Sequence, residues 1–250
     1  RNVNSYNRIV IKVGSAVLAN SNGIVNQSIL AAISEDIAWL LKNEKEVLIV
    51  SSGAIALGRK KMKLSDSLTL AESQALAAHG QIELMSAWKK HLNKFSIPIG
   101  QILLTPRDTE LKLSSKNAKQ TVSKLIEAGC LPIINENDST ATDEIRFGDN
   151  DLLASKVAKL LGADLLIILS TVDGLYTSEE DVQIQRAGSL IKEVNKITPK
   201  IKKMAGHASQ MGKGGMTSKI DAAEICLKNK CAMVITSGKN KKPIRGISKR

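Results

Sequence analysis

Short runs of nearly unbroken apolar, β-branched residues punctuate the chain: RIVIKV (8–13), EVLIVS (46–51), IPIGQILLT (97–105), CLPIIN (130–135), DLLIILS (164–170) and CAMVITS (231–237). Hydrophobicity without alternation is the mark of strands covered on both faces. Between these runs the apolar spacing turns helical, over 27–43, 71–94, 115–129, 149–163 and 218–230, with a break expected near Gly80. Strand and helix patterns alternate, which predicts the α/β class: a mainly parallel central sheet sandwiched between helix layers. Residues 176–215 contain no strong buried strand and predict loops or a small excursion. No repeat or low-complexity stretch divides the chain, so one domain, of one or two lobes, is expected.

In an open α/β sheet, ligands bind beyond the carboxyl ends of the strands. Those ends hold the unusual residues here. The first run carries Lys12 and continues VGSAVL; the others lead into SSGAIALG (51–58), NENDST (135–140), STVDGLYT (170–177) and SG (237–238). Any single Gly-Ser turn is ordinarily just a turn, but five on one edge predict a site. The turns KVGS (12–15), SSGA (51–54) and GKGGMTSK (212–219) can aim backbone N–H groups at an anion, the last one running into a helix. Glycine permits close approach to phosphate oxygens, and a helix N-terminus adds partial positive charge. Lys12 and Lys219 add full charges. That is the equipment of phosphoryl transfer, where catalysis is mostly positioning and charge neutralisation. Lys12 could instead snorkel from an edge strand, but its neighbours Ile9, Val10, Ile11 and Val13 argue for a buried central one.

Composition narrows the partners. The chain has 250 residues, 43% hydrophobic and 24% charged, with a formal charge of +12. Such a charge suits nucleic acid, small anionic substrates or solubility alone. Aromatics are only 2% of the chain, which removes the stacking platforms of RNA-binding modules, so no nucleic-acid partner is expected. No apolar run approaches the roughly 18 residues of a membrane span, and the start RNVNSYNRIVIKVG is no secretory signal. Three cysteines (Cys130, Cys226, Cys231) without CxxC spacing suggest neither a disulfide framework nor a zinc site, and fit a reducing cytoplasm.

Competing chemistries lack their signatures. His79, His91 and His207 have no metal-ligand spacing. There is no GxSxG elbow, no GxGxxG after the first strand, and no GxxxxGK[ST] loop. Met204, Met211 and Met216 read as packing or loop residues.

Taken together, IVIKVGSAVL (9–18), VSSGAIALG (50–58), INENDSTATDEIRFGDNDLLAS (134–155), LSTVDGLYT (169–177) and GKGGMTSKIDAA (212–223) resemble the amino acid kinase family. The resemblance spans about residues 8–247. It implies the carbamate kinase-like α/β fold, with an N-terminal part that binds substrate and a C-terminal part that binds ATP. Within the family, NEND followed by FGDNDLLA, together with GGMTSK, is similar to the members that phosphorylate the γ-carboxylate of L-glutamate, the first step of proline biosynthesis. The other acceptors in the family are N-acetylglutamate, aspartate, carbamate and UMP. Many bacterial relatives add a PUA domain; a single kinase domain over 1–250 without one is the expectation here.

The resemblance also implies roles. Lys12 and Lys219 would stabilise the transferring phosphoryl group, and Asp151 would orient both as an organising carboxylate. Ser52, Gly53, Asn135, Asp138 and Asn150 would bind substrate. Asp138 is the natural partner of a free α-ammonium, which favours glutamate over its N-acetylated form; otherwise it would be an Asx turn. Lys12, Ser170, Thr171, Lys213, Gly214, Gly215, Met216, Thr217, Ser218 and Lys219 would bind ATP, with Mg²⁺ held mainly by phosphates and water. Thr171 stands where the family commonly has Asp, and Lys213 where it commonly has Thr. Homodimers or homotetramers and feedback inhibition by proline are further implications, with 71–94 as the contact between subunits.

Overall fold

In a computed structural model describing residues 2–20, 22–59, 62, 68–140, 150–177, 189–207 and 215–249, the apolar runs form one six-stranded, all-parallel sheet. The strands are β1 (Arg8–Val13), β2 (Glu46–Ser51), β3 (Ile99–Leu104), β4 (Leu131–Glu136), β5 (Leu165–Ser170) and β6 (Ala232–Ser237), in the order β3-β4-β2-β1-β5-β6. β1 therefore lies inside the sheet, with Lys12 in register with Val50 on one side and Ile168 on the other. The edge-strand alternative for Lys12 falls with that pairing.

Strand parity divides the core. Ile9, Ile11 and Val13 face one side, Val10 the other, because successive side chains of a strand point to opposite faces. The first face is covered by α1 (Ser15–Leu18), α2 (Gln27–Lys42), α3 (Ala54–Arg59) and α4 (Leu70–Leu92). The second is covered by α6 (Lys112–Glu127), α7 (Asn150–Leu161) and α9 (Met216–Lys228). The short α5 (Pro106–Glu110) follows β3, and α8 (Pro199–His207) joins Leu175, Met216 and Ile220 in a small third cluster. That cluster is the excursion expected within 176–215; residues 178–188 and 208–214 lie outside the described residues.

Gly80 does not break its helix: α4 runs continuously from Leu70 to Leu92. A capping box starts it, Thr69 Oγ1 accepting from Glu72 N (3.3 Å) while Glu72 Oε2 accepts from Thr69 N (2.8 Å). The glycine serves packing instead. A Cβ on Gly80 would sit 1.8 Å from the Ala54 carbonyl oxygen, and one on Gly58 would sit 2.2 Å from that of Leu76. The α3 and α4 backbones thus touch at two side-chain-free positions, which seats the start of α3 against α4. No described helix is long and apolar enough to cross a membrane.

Candidate active site

Lys12 has the parity of Val10, so its side chain leaves β1 on the α7 face near the carboxyl edge of the sheet. The first turn of α7 brings Asp151 to the same place, and α9, packed on α7, brings Lys219. Lys12 Nζ lies 2.6 Å from Asp151 Oδ1, and Lys219 Nζ lies 2.9 Å from Asp151 Oδ2. The carboxylate is fully buried and each lysine is 5% exposed. Burial alone would raise the Asp151 pKa, but the Lys12 and Lys219 ammonium groups outweigh it and hold the carboxyl below the usual range. The three side chains together carry one net positive charge. Ser218 Oγ stands 3.1 Å from Asp151 Oδ2 and 2.9 Å from the Gly215 carbonyl, two acceptors for one hydroxyl proton.

Glycine turns frame this cluster. Gly14 N donates to the Leu169 carbonyl at 3.2 Å. Gly53 has φ +112°, a region that side chains disfavour, and a Cβ there would meet Leu18 at 3.1 Å. Ser52 N donates to the Val13 carbonyl at 3.0 Å, and Trp88 Nε1 of α4 holds the neighbouring Ser51 Oγ at 2.9 Å. The loop after β2 is thus pinned from both β1 and α4. Gly215 is the N-cap of α9 and makes no side-chain capping bond. Met216 is buried in the third cluster, Thr217 is exposed, Ser170 is partly buried and Thr171 is exposed. Lys213 and Gly214 lie outside the described residues.

A chain of amides leads away from the lysines. Asn150 Nδ2 donates to Asn135 Oδ1 at 2.8 Å, and Asn135 Nδ2 donates to Gln81 Oε1 at 2.9 Å. All three side chains are buried. Gln81 borders a cleft of about 250 Å³ that is also lined by Gln101, Glu136 and Asp138. Asp138 therefore lines a cleft. Asn135 and Asn150 are thus joined directly, Asn150 standing one residue in sequence from Asp151, while Asp138 lines the cleft beyond Gln81.

Sequence reasoning missed Gln81. Its only signal is a polar residue on the buried stripe of α4, between Ala77 and Leu84, both at most 2% exposed. Among the described residues, no group of three His, Cys, Asp or Glu side chains could hold a metal ion.

The model of the amino acid kinase family matches residues 7–237. The chain belongs to the amino acid kinase family. It is similar to the glutamate 5-kinases of Allorhizobium ampelinum, 51% identical over 244 residues, and Sinorhizobium fredii, 49% identical over 249 residues. The alignments cover 97% and 99% of the chain, which spans 62% and 63% of the length of these curated relatives. Among solved structures, the UMP kinase of Ureaplasma parvum is similar in fold, with a TM-score of 0.59 at 16% identity, over 100% of this chain and 96% of that one. At that identity the likeness speaks for the fold of this family member and for nothing finer.

Proposed function

We propose that this chain transfers the γ-phosphoryl group of ATP to the γ-carboxylate of L-glutamate, forming the acyl phosphate that opens proline biosynthesis. The observation that carries the reading is one fully buried carboxylate, Asp151, held between Lys12 and Lys219 at the carboxyl edge of the sheet. Two ammonium groups fixed by one carboxylate make a rigid positive site, the kind that stabilises charge spread over a phosphoryl group in flight. The relatives' name, glutamate 5-kinase, supports the choice of acceptor.

In this reading a γ-carboxylate oxygen of glutamate attacks Pγ. The new O–P bond forms as the bond from Pγ to the β-phosphate oxygen breaks, and ADP leaves. The nucleophile is ionised near neutral pH, so no general base is needed. Lys12 and Lys219 neutralise the transferring group while Asp151 keeps their ammonium groups in place. Ser52, Gly53, Asn135, Asp138 and Asn150 bind glutamate, with Asp138 taking the α-ammonium. Ser170, Thr171 and the segment Lys213 to Lys219 bind the nucleotide, the partial positive charge of the α9 N-terminus suiting its phosphates. Mg²⁺ would neutralise phosphate charge; phosphate oxygens and water would hold it, which asks for no carboxylate cage. Work in the cytoplasm suits three cysteines that are all free thiols. Assembly into homodimers or homotetramers and inhibition by proline come with the family reading. So does a division of one kinase domain into a substrate-binding N-terminal part and an ATP-binding C-terminal part.

The test is an incubation with Mg-ATP, hydroxylamine and one acid at a time, which traps an acyl phosphate as a coloured hydroxamate. Glutamate is expected to give the hydroxamate, and N-acetylglutamate and aspartate little. Phosphorylation of N-acetylglutamate, aspartate, carbamate or UMP with no glutamyl hydroxamate would overturn the reading.

A further inference from the structure

Gln81 is 8% exposed, and its Nε2 is buried with no hydrogen-bond partner among the described residues. A buried donor left unpaired costs free energy, so such an atom on a residue that lines a cleft points to a ligand. The orientation of the amide follows from a backbone group. Glu136 N donates to Asn135 Oδ1 at 2.9 Å, and a backbone N–H can only donate. Asn135 must then turn Nδ2 toward Gln81, whose facing atom must accept and is therefore Oε1. Nε2 is left as a donor at the far end of the amide chain from Asn150 and the lysines.

The cleft that Gln81 lines also carries Glu136 and Asp138. An anion alone would be repelled there, whereas an amino acid presents an ammonium for the carboxylates and a carboxylate for a donor. We infer that Gln81 is a substrate-binding residue whose Nε2 donates to the α-carboxylate of the amino-acid acceptor. This rests on the glutamate kinase reading above. The γ-carboxylate must reach Lys12 and Lys219, next to Asn150. The α-carboxylate then lies toward the end two amide links away, where Gln81 stands. Asp138 and Gln81 divide the two charges of the substrate's head between them, one accepting from the ammonium, the other donating to the carboxylate.

The probe is isoglutamine, the α-carboxamide of glutamate, which keeps the ammonium and the γ-carboxylate. Wild type should prefer glutamate over isoglutamine in kcat/KM by roughly 10-fold or more, the scale of one hydrogen bond to a charged group. Gln81→Ala should raise KM for glutamate by a similar factor and for isoglutamine less, because the carboxamide oxygen is a neutral acceptor, leaving KM for ATP near its wild-type value and shrinking the preference. Gln81→Glu keeps an acceptor for Asn135 but turns an anionic oxygen to the substrate, so the preference should reverse toward isoglutamine, whose amide can donate. A defect of packing alone would weaken both substrates equally and could not reverse their order. Equal use of the two substrates by wild type, a result that needs no variant to fold, would overturn the inference while leaving the kinase reading intact. So would Gln81 variants that keep the wild-type preference. Wild type without activity on either substrate would remove the kinase reading and the inference with it.

Discussion

Asp151 Oδ2 lies 2.9 Å from Lys219 Nζ, in a pocket where the carboxylate is fully buried, and its other oxygen takes Lys12 at 2.6 Å. The relationship has an energetic side that precedes any catalysis. Ammonium groups that have left water need a partner, and removing one member of a buried ion pair typically costs about 3–5 kcal/mol. Asp151→Asn keeps the shape of the side chain but leaves two buried lysines facing each other across a neutral amide. The variant should lose stability on that scale in urea unfolding. ATP, by supplying phosphate charge to the same lysines, should raise its melting temperature by more than it raises that of the parent. An Asp151→Asn protein as stable as the parent would mean that the carboxylate does not hold the lysines.

The two lysines should fail together. Lys219→Ala is expected to lower kcat for glutamate phosphorylation by roughly 10²–10³, the scale of losing one preorganised electrostatic stabiliser. Lys12→Ala should fall in the same range. Because one carboxylate orients both, the double variant should lose much less than the product of the single losses. Hydroxamate formation under saturating ATP and glutamate measures each value. Near-normal turnover in Lys219→Ala would remove that residue from the chemistry.

Much of this arrangement is legible in the sequence, and the reasons differ from part to part. The strands are legible because β1, β2 and β5 are covered on both faces, which leaves runs such as RIVIKV no polar alternation. Lys12 announces itself as a charge inside such a run, past the Arg8 that opens it. Its partner does not: Asp151 opens a helix far along the chain, and composition and spacing alone give no link between them. Gln81 is harder still. On a helical wheel it is one polar residue on an apolar stripe, and only the backbone N–H of Glu136, through Asn135, gives its amide a direction.

Gly80 shows the opposite failure, a local preference overruled by tertiary structure. Glycine in a helix interior is destabilising by roughly 1 kcal/mol relative to alanine. That is the ground for expecting a break near Gly80, but the helix continues because the missing side chain admits the Ala54 carbonyl of α3. Gly80→Ala should therefore destabilise the protein despite the better helix propensity, by about 3 kcal/mol, the upper end for overpacking. Displacing α3 also shifts the loop that precedes it, so KM for glutamate should rise in the same variant. Gly246→Ala is the control: a Cβ there meets nothing within 4 Å, and stability should stay within about 0.5 kcal/mol. A Gly80→Ala protein more stable than the parent would show that α3 and α4 can separate without cost.

His91, in the last turn of α4, makes stability depend on pH. A helix C-terminus ordinarily favours a charged imidazole, yet burial pushes the His91 pKa down, and the nearby Lys94 and Lys90 charges push it further. The ring is 4% exposed and pairs through Nε2 with Gln27 Oε1 at 2.9 Å. The folded state thus holds His91 neutral at a pH where the unfolded chain, with an ordinary pKa of about 6.5, already binds a proton. The unfolded state binds more protons in that window, so stability rises with pH through it. On acidification the contribution begins to fall near pH 6.5 and continues to fall until the pH reaches the lowered folded value. The slope from this one group is at most about 1.4 kcal/mol per pH unit. His91→Gln removes the titration. The stability advantage of the parent over that variant, measured by urea unfolding at pH 7.5, 6.5 and 5.5, should be largest at pH 7.5 and shrink on acidification. A gap that stays constant across the three values would mean that His91 titrates alike in both states, and that its burial carries no pH dependence.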